Sequence, residues 1–104
     1  MSNLTDVRVR CVFSRGGFPN ERKFTIDAPG GGAYTGTAPV RYCFNLENQR
    51  LTPDEPPPGD IMQGWMTARV IQSTGDRVTI SVPDGGVCEI RAEQIQDAHV
   101  PVES

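Results

Sequence analysis

Lys23–Tyr34, KFTIDAPGGGAY, is the stretch that decides the fold, because it returns fifty-four residues later as Arg77–Cys88, RVTISVPDGGVC. Five positions are identical in the two copies: Thr25/Thr79, Ile26/Ile80, Pro29/Pro83, Gly31/Gly85 and Gly32/Gly86. Proline presets the backbone of a turn, and glycine accepts the positive φ that closes a hairpin. Each copy therefore predicts a strand, a tight turn and a second strand. Convergence on turn residues would give the same identities, but the matching order of elements outside the window favours duplication.

Further strands are predicted around the repeated stretch. Asp6–Ser14 alternates apolar and polar residues with a period of two, as a half-buried strand does. Ile61–Ser73 predicts the longest strand, on which Trp65 faces away from the apolar stripe that begins at Met66. Both halves of the chain thus begin with a strand that leads into the repeated hairpin.

One helical turn is predicted in each half, after the hairpin. Pro39 cannot donate a ladder hydrogen bond, so a helical turn over Pro39–Tyr42 fits better than a continuous strand. Ala92–Gln94 suits a helical turn at the corresponding place in the second half. Near the end of the chain, Ala98–Val102 predicts an edge strand.

The chain divides into two β-rich halves, residues 1–50 and 61–104, separated by a proline-rich linker over residues 51–60. Three consecutive prolines predict a stiff, extended and solvated linker. Each half has about fifty residues, which is close to the lower limit for an independent core. We therefore expect the two halves to pack as one compact unit.

The whole pattern resembles the SH3-like small β-barrels, the class that includes the KOW and Tudor modules. The resemblance is carried by Ala68–Ile95 and, less strongly, by Val9–Phe44. It implies an all-β small barrel made of two related halves. The KOW glycine signature and the peptide-binding SH3 signature are not intact, so the resemblance assigns no functional residue. An OB-like or other Greek-key barrel is the alternative.

The composition predicts the compartment. The chain has no run of eighteen apolar residues that could form a transmembrane helix, and Met1–Asp6 is polar, unlike the start of a signal peptide. Its three cysteines, Cys11, Cys43 and Cys88, are odd in number and widely spaced. This spacing favours reduced thiols over a disulfide framework. A cytoplasmic protein without membrane contact is predicted.

The net charge of −3 is unevenly distributed, since residues 1–52 carry +3 and residues 53–104 carry −6. Opposite charges could meet inside one domain, or the basic half could approach an anionic partner. The basic half of one copy could also meet the acidic half of another, so a homo-oligomer is possible.

Five side chains are the predicted partner-binding residues: Phe18, Tyr34, Arg41, Tyr42 and Trp65. Aromatic residues and arginine are enriched at the centres of protein interfaces. The predicted function is a non-enzymatic intracellular module that binds a protein or peptide. Its partner would lie in a groove near the junction of the halves or along an exposed sheet edge.

Association with RNA or DNA is the first alternative. Five basic residues cluster around the first hairpin: Arg8, Arg10, Arg15, Arg22 and Lys23. With nearby aromatic side chains they could form a surface for nucleic acid. The isoelectric point near 5.0 makes this the less favoured interpretation.

A small enzyme, or enzyme subunit, that uses a cysteine is the second alternative. Cys88 or Cys43 could pair with His99, but no orienting group or oxyanion site is evident. His99 is the only histidine and no cysteine pair has zinc-ligand spacing, so no metal is predicted. The glycine-rich PGGG lacks the GK[ST] ending of a phosphate loop. We predict no catalytic residue and no cofactor.

Overall fold

The structure, a computed structural model, describes residues 5–97, which form eight strands and two single-turn 3₁₀ helices. The strands are β1 (Thr5–Arg15), β2 (Glu21–Asp27), β3 (Ala33–Pro39), β4 (Cys43–Asn45), β5 (Met62–Thr74), β6 (Arg77–Ser81), β7 (Val87–Arg91) and β8 (Ile95–Asp97). The 3₁₀ turns span Val40–Tyr42 and Ala92–Gln94. In this described range, no helix has the length and apolar character needed to cross a membrane.

All strand pairs are antiparallel and belong to one sheet with the order β3-β2-β1-β5-β6-β7. The short strand β4 pairs with β5, and β8 pairs with β1. The sheet curls into a nearly closed barrel. The prediction of an all-β fold with the architecture of a small SH3-like barrel is confirmed.

The two halves exchange their last strands. Val9 and Met66 are partners at the centre of the β1–β5 pair. Met66 also pairs with Cys43, the first residue of β4, and Val9 pairs with Ile95, the first residue of β8. Each half therefore supplies the closing strand beside the first strand of the other half. Residues 1–50 and 61–104 thus contribute to a single sheet, while their common origin stays a prediction.

The repeated hairpins have the same turn geometry. The Gly31 N–H donates to the Ala28 carbonyl at 3.1 Å, and the Gly85 N–H donates to the Val82 carbonyl at 2.9 Å. Both glycines have φ of 93°, in the left-handed region that favours glycine. The hairpins predicted from proline and glycine spacing are confirmed.

Both predicted helical turns are present as 3₁₀ turns after β3 and β7. Each is tied to the β1–β2 or β5–β6 loop of its own half. The Val40 N–H donates to the Asn20 carbonyl at 2.8 Å, and the Ala92 N–H donates to the Asp76 carbonyl at 2.8 Å. The predicted edge strand over Ala98–Val102 lies outside the described residues.

The core draws apolar side chains from both halves. Its largest buried members are Phe13, Phe24, Ile26, Met66, Ile80 and Ile90. On β5, Trp65 is half-buried and Met66 fully buried, as the alternation predicts. Each such burial stabilises the fold by about 1.5–3 kcal/mol.

Arg22 is fully buried, and its predicted place in a basic surface is wrong. It lies on the same face of β2 as Phe24 and Ile26. Its guanidinium donates to five carbonyl oxygens, those of Pro19, Glu21, Thr52, Pro53 and Glu55, at 2.7–3.3 Å. Because every bond goes to a backbone acceptor, Arg22 joins the β1–β2 loop to the proline-rich segment.

The proline-rich segment, residues 51–60, folds against the barrel at two points. Leu51 and Pro56 are buried, and the Arg15 Nε–H donates to the Pro56 carbonyl at 2.7 Å. The expectation of a solvated linker is therefore wrong for these residues. Hydrogen bonds from Arg15 and Arg22 and two buried apolar side chains fix a segment that composition alone indicates to be exposed.

Candidate binding grooves

Two grooves open where the halves meet, toward opposite ends of the β1–β5 pair. The first has a volume of about 540 Å³, within the range of about 300–1,000 Å³ typical of ligand sites. It is lined by Arg10, Cys11, Val12, Thr25, Asp27, Ala28, Pro29, Gly31, Gly32, Gln63, Arg91, Glu93 and Gln94. The first half supplies one wall, and β5 with the second 3₁₀ turn supplies the other.

Hydrogen bonds between the two halves fix the walls of the first groove. The Gln94 side chain donates from Nε2 to the Asp27 carbonyl at 2.9 Å. Its Oε1 accepts from the Arg91 N–H at 2.8 Å, and the Arg91 guanidinium donates to the Pro29 carbonyl at 3.3 Å. The glycine-rich hairpin is thus held against the 3₁₀ turn, and the groove exists before any ligand binds.

The second groove is smaller, with a volume of about 270 Å³. Its lining residues are Asp6, Tyr42, Thr67, Ala68, Arg69, Ser81, Val82 and Pro83. It combines the second hairpin and β5 with the first 3₁₀ turn, so the roles of the halves are reversed. Asp6 of β1 and Arg69 of β5, which are register partners, form an ion pair at its floor at 3.1 Å.

Arginine and aromatic side chains cover the outer face of the sheet between the grooves. The Arg10 guanidinium lies 5.7 Å from the centre of the Trp65 ring and hydrogen-bonds to Gln63. The Arg8 guanidinium lies 3.8 Å above the Phe44 ring. Nε1 of Trp65 and Nε of Arg8 are buried and find no acceptor among residues 5–97. This face connects the two grooves.

The structure does not bring the five predicted partner-binding residues together. Arg41 lies 4.9 Å above the ring of Tyr42, which lines the second groove. Tyr34 packs on Phe24 and donates to the Asp84 carboxylate at 3.1 Å. Trp65 lies between the grooves. Phe18 is 68% exposed in the β1–β2 loop.

The first groove contains none of those five residues, so sequence reasoning missed its composition. The sequence predicts a tight turn for the glycine-rich hairpin, yet Gly31 and Gly32 also form part of the wall. Arg91 and Gln94 carried no sequence signal for a site. They reach the hairpin only because β8 pairs with β1 and brings the second 3₁₀ turn against the first half.

The three thiols lie in surroundings that favour the neutral form. Burial raises the pKa of Cys43 to about 12 and raises the pKa of Cys11 well above its ordinary value. Burial, followed by the nearby Asp84 carboxylate, also raises the pKa of Cys88. Since the thiolate is the reactive species, all three cysteines are weak nucleophiles at neutral pH.

We predict that an aromatic disulfide reagent at pH 8 modifies at most one thiol in the folded protein. Cys88 is half-exposed and should react more slowly than free cysteine, because its raised pKa lowers its thiolate fraction. Cys11 and Cys43 should react only after unfolding in urea. Cys88→Ser removes the native-state reaction and serves as control. Rapid modification of Cys43 in the folded protein would contradict the prediction.

The grooves are the strongest functional features of the described chain. Within residues 5–97, no group of three or more histidine, cysteine, aspartate or glutamate residues could hold a metal ion. No protein-family model, curated protein or solved structure matches the chain. Function is therefore inferred from the walls and the charges of the grooves.

Proposed function

We propose that the protein is a non-enzymatic intracellular module that binds a peptide segment of a partner protein in the first groove. The observation that carries the proposal is a groove of about 540 Å³ whose walls are joined by side-chain hydrogen bonds across the junction of the halves. Fixed walls favour binding because little conformational freedom is lost when the ligand enters. Free thiols at Cys11, Cys43 and Cys88 support a reducing compartment.

Nucleic-acid binding has less support. Arg22 is buried and Arg15 is bonded to a carbonyl of the proline-rich segment, so two of the five basic residues are committed internally. Arg8 is stacked on Phe44 and bonded to Asn48. Phosphate binding needs basic side chains that are free to replace counterions. Only Arg10 and Lys23 of the five remain. Together with an isoelectric point near 5.0, this small number of available basic side chains favours a protein partner.

Cysteine-based catalysis also has less support. A nucleophilic cysteine is activated by a lowered pKa or by an adjacent base. Burial raises the pKa of all three thiols instead. His99, the base considered in the sequence, lies outside the described residues.

A random peptide library displayed on phage tests the proposal. Binders selected on the immobilised protein are synthesised, and their dissociation constants are measured by fluorescence anisotropy. Glu93 is exposed on the groove wall, so Glu93→Arg should weaken the selected peptide by about tenfold or more through steric and charge mismatch. The matched control is Glu47→Arg, an exposed site outside both grooves, which should change affinity by less than about twofold.

Failure to select any peptide, or equal effects of Glu93→Arg and Glu47→Arg, would reject the first groove as the site.

The five residues predicted from the sequence remain proposed contacts outside the groove. Trp65 is adjacent to it, because Arg10 both covers the Trp65 ring and lines the groove. Trp65→Ala tests whether the peptide continues over the β1–β5 face, and Arg41→Ala tests whether it reaches the second groove.

A further inference from the structure

The two grooves are counterparts that differ at their floor. Counting along β1 and β5 from the central Val9–Met66 pair, Val12 of the first groove corresponds to Arg69 of the second. In the same way Gln63 corresponds to Asp6. The hairpin wall of each groove comes from one copy of the repeated stretch. The 3₁₀ turn of each groove directly precedes one of the two exchanged strands, β4 or β8.

The second groove carries an ion pair at its floor. The Arg69 Nε–H and the Asp6 carboxylate meet at 3.1 Å, and this groove has about half the volume of the first, 270 Å³ against 540 Å³. The first groove has the uncharged Val12 and Gln63 at these positions. The groove that lacks the pair is therefore the one with more room for a ligand.

The first groove instead carries charges that are not neutralised by one another. Arg10 and Arg91 supply two positive charges, and Asp27 and Glu93 supply two negative charges. All four side chains are exposed, and none forms an ion pair with another residue in the range 5–97. Charged groups around a groove bind best to a ligand whose charges oppose them, and like charges placed together reduce affinity.

We infer that the first groove takes a peptide segment carrying both basic and acidic side chains, and that the second groove is its counterpart with internally paired charges. A peptide whose charges all have one sign would pair with two of the four charged side chains and would be repelled by the other two. A segment with both signs can pair with the arginines and with the carboxylates at once. This inference rests on the proposed function and adds the chemical class of the partner.

Four blocked hexapeptides test the inference by titration into ¹⁵N-labelled protein at low ionic strength, followed by NMR. Their sequences are alternating lysine and glutamate, lysine only, glutamate only, and alternating serine and glycine. The alternating charged peptide should shift the amides of Gly31, Gly32 and Gln94 and bind about tenfold more tightly than the other three, since charge-assisted hydrogen bonds are about twice as strong as neutral ones.

Two neutralising variants distinguish a charge effect from a structural one. Arg10→Gln should weaken the alternating peptide by about fivefold and improve the lysine peptide relative to the glutamate peptide. Glu93→Gln should shift the preference in the opposite direction. Damage to the groove walls would instead weaken every peptide equally in both variants, and that result would overturn the inference.

The remaining results separate this inference from the proposed function. A library-selected peptide that binds the first groove with charges of one sign, or with none, would overturn the inference and leave the function standing. Absence of any peptide at the first groove would overturn both. Equal binding of a mixture of free lysine and glutamate would overturn the assignment to a peptide.

Discussion

Arg22→Met is expected to lower the free energy of unfolding by about 3 kcal/mol or more, because it removes the donor from five part-buried carbonyl oxygens at about 1–3 kcal/mol for each one left unsatisfied. The wild-type guanidinium is fully buried and donates to five carbonyls. Methionine fills much of the volume but offers no donor. A small domain has about 5–15 kcal/mol in total, so the variant should be only marginally stable.

Urea denaturation followed by Trp65 fluorescence measures this loss. The matched control is Lys23→Met, which removes the same charge from the adjacent, exposed residue and should change the free energy of unfolding by less than about 0.5 kcal/mol. Arg22→Lys keeps the charge and cannot reproduce the five-bond arrangement, so its stability should lie between those two. Equal stability of Arg22→Met and Lys23→Met would show that the carbonyls are satisfied without arginine.

Local pattern was sufficient to predict most of the elements. Alternation in Asp6–Ser14 and Ile61–Ser73 located the two long strands, because a half-buried strand places successive side chains on opposite faces. Proline and glycine located both hairpins, Pro39 located the first 3₁₀ turn, and the corresponding place in the second half located the other. These signals depend on residues that are close together in the chain. They can therefore be interpreted without knowing the rest of the fold.

The exchange of closing strands could not be predicted in this way. Cys43–Asn45 and Ile95–Asp97 are three residues each, too short for periodicity to indicate a partner. Their pairing is decided by which strand edge is free when the barrel closes. The first groove depends on β8, which places Arg91 and Gln94 beside the first hairpin. Because the pairing of β8 could not be predicted, the composition of this groove could not be predicted either.

The sequence contains a signal for the burial of Arg22, but the charge of the side chain argues for an exposed position. Its parity with Phe24 and Ile26 on β2 places it on the core face. Arginine is seldom fully buried unless it is paired, and no carboxylate partner was evident in the sequence. The partners turned out to be backbone carbonyls of Thr52, Pro53 and other loop residues, and backbone acceptors carry no side-chain signature.

Gly64→Ala is expected to lower the melting temperature by roughly 10–20 °C, which corresponds to about 3 kcal/mol in a domain of this size. Gly64 lies in β5 between Cys11 of β1 and Asn45 of β4. A methyl group there would overlap the Phe44 carbonyl oxygen and come within 3.0 Å of the Phe13 ring. The absence of a side chain at Gly64 permits the close approach of β4.

Relief of this overlap requires β4 to move away from β5, because the nearest atom belongs to the backbone and cannot rotate aside. Gly17→Ala is the matched control: its added methyl group meets no atom within 4 Å, so its melting temperature should stay close to that of the wild type. Calorimetry of both variants gives the comparison. If Gly64→Ala and Gly17→Ala have the same melting temperature, β4 is held loosely, and the exchanged strand contributes little to stability. A large difference would place this strand among the main determinants of a stable barrel, because its displacement also removes Phe44 from beneath Arg8.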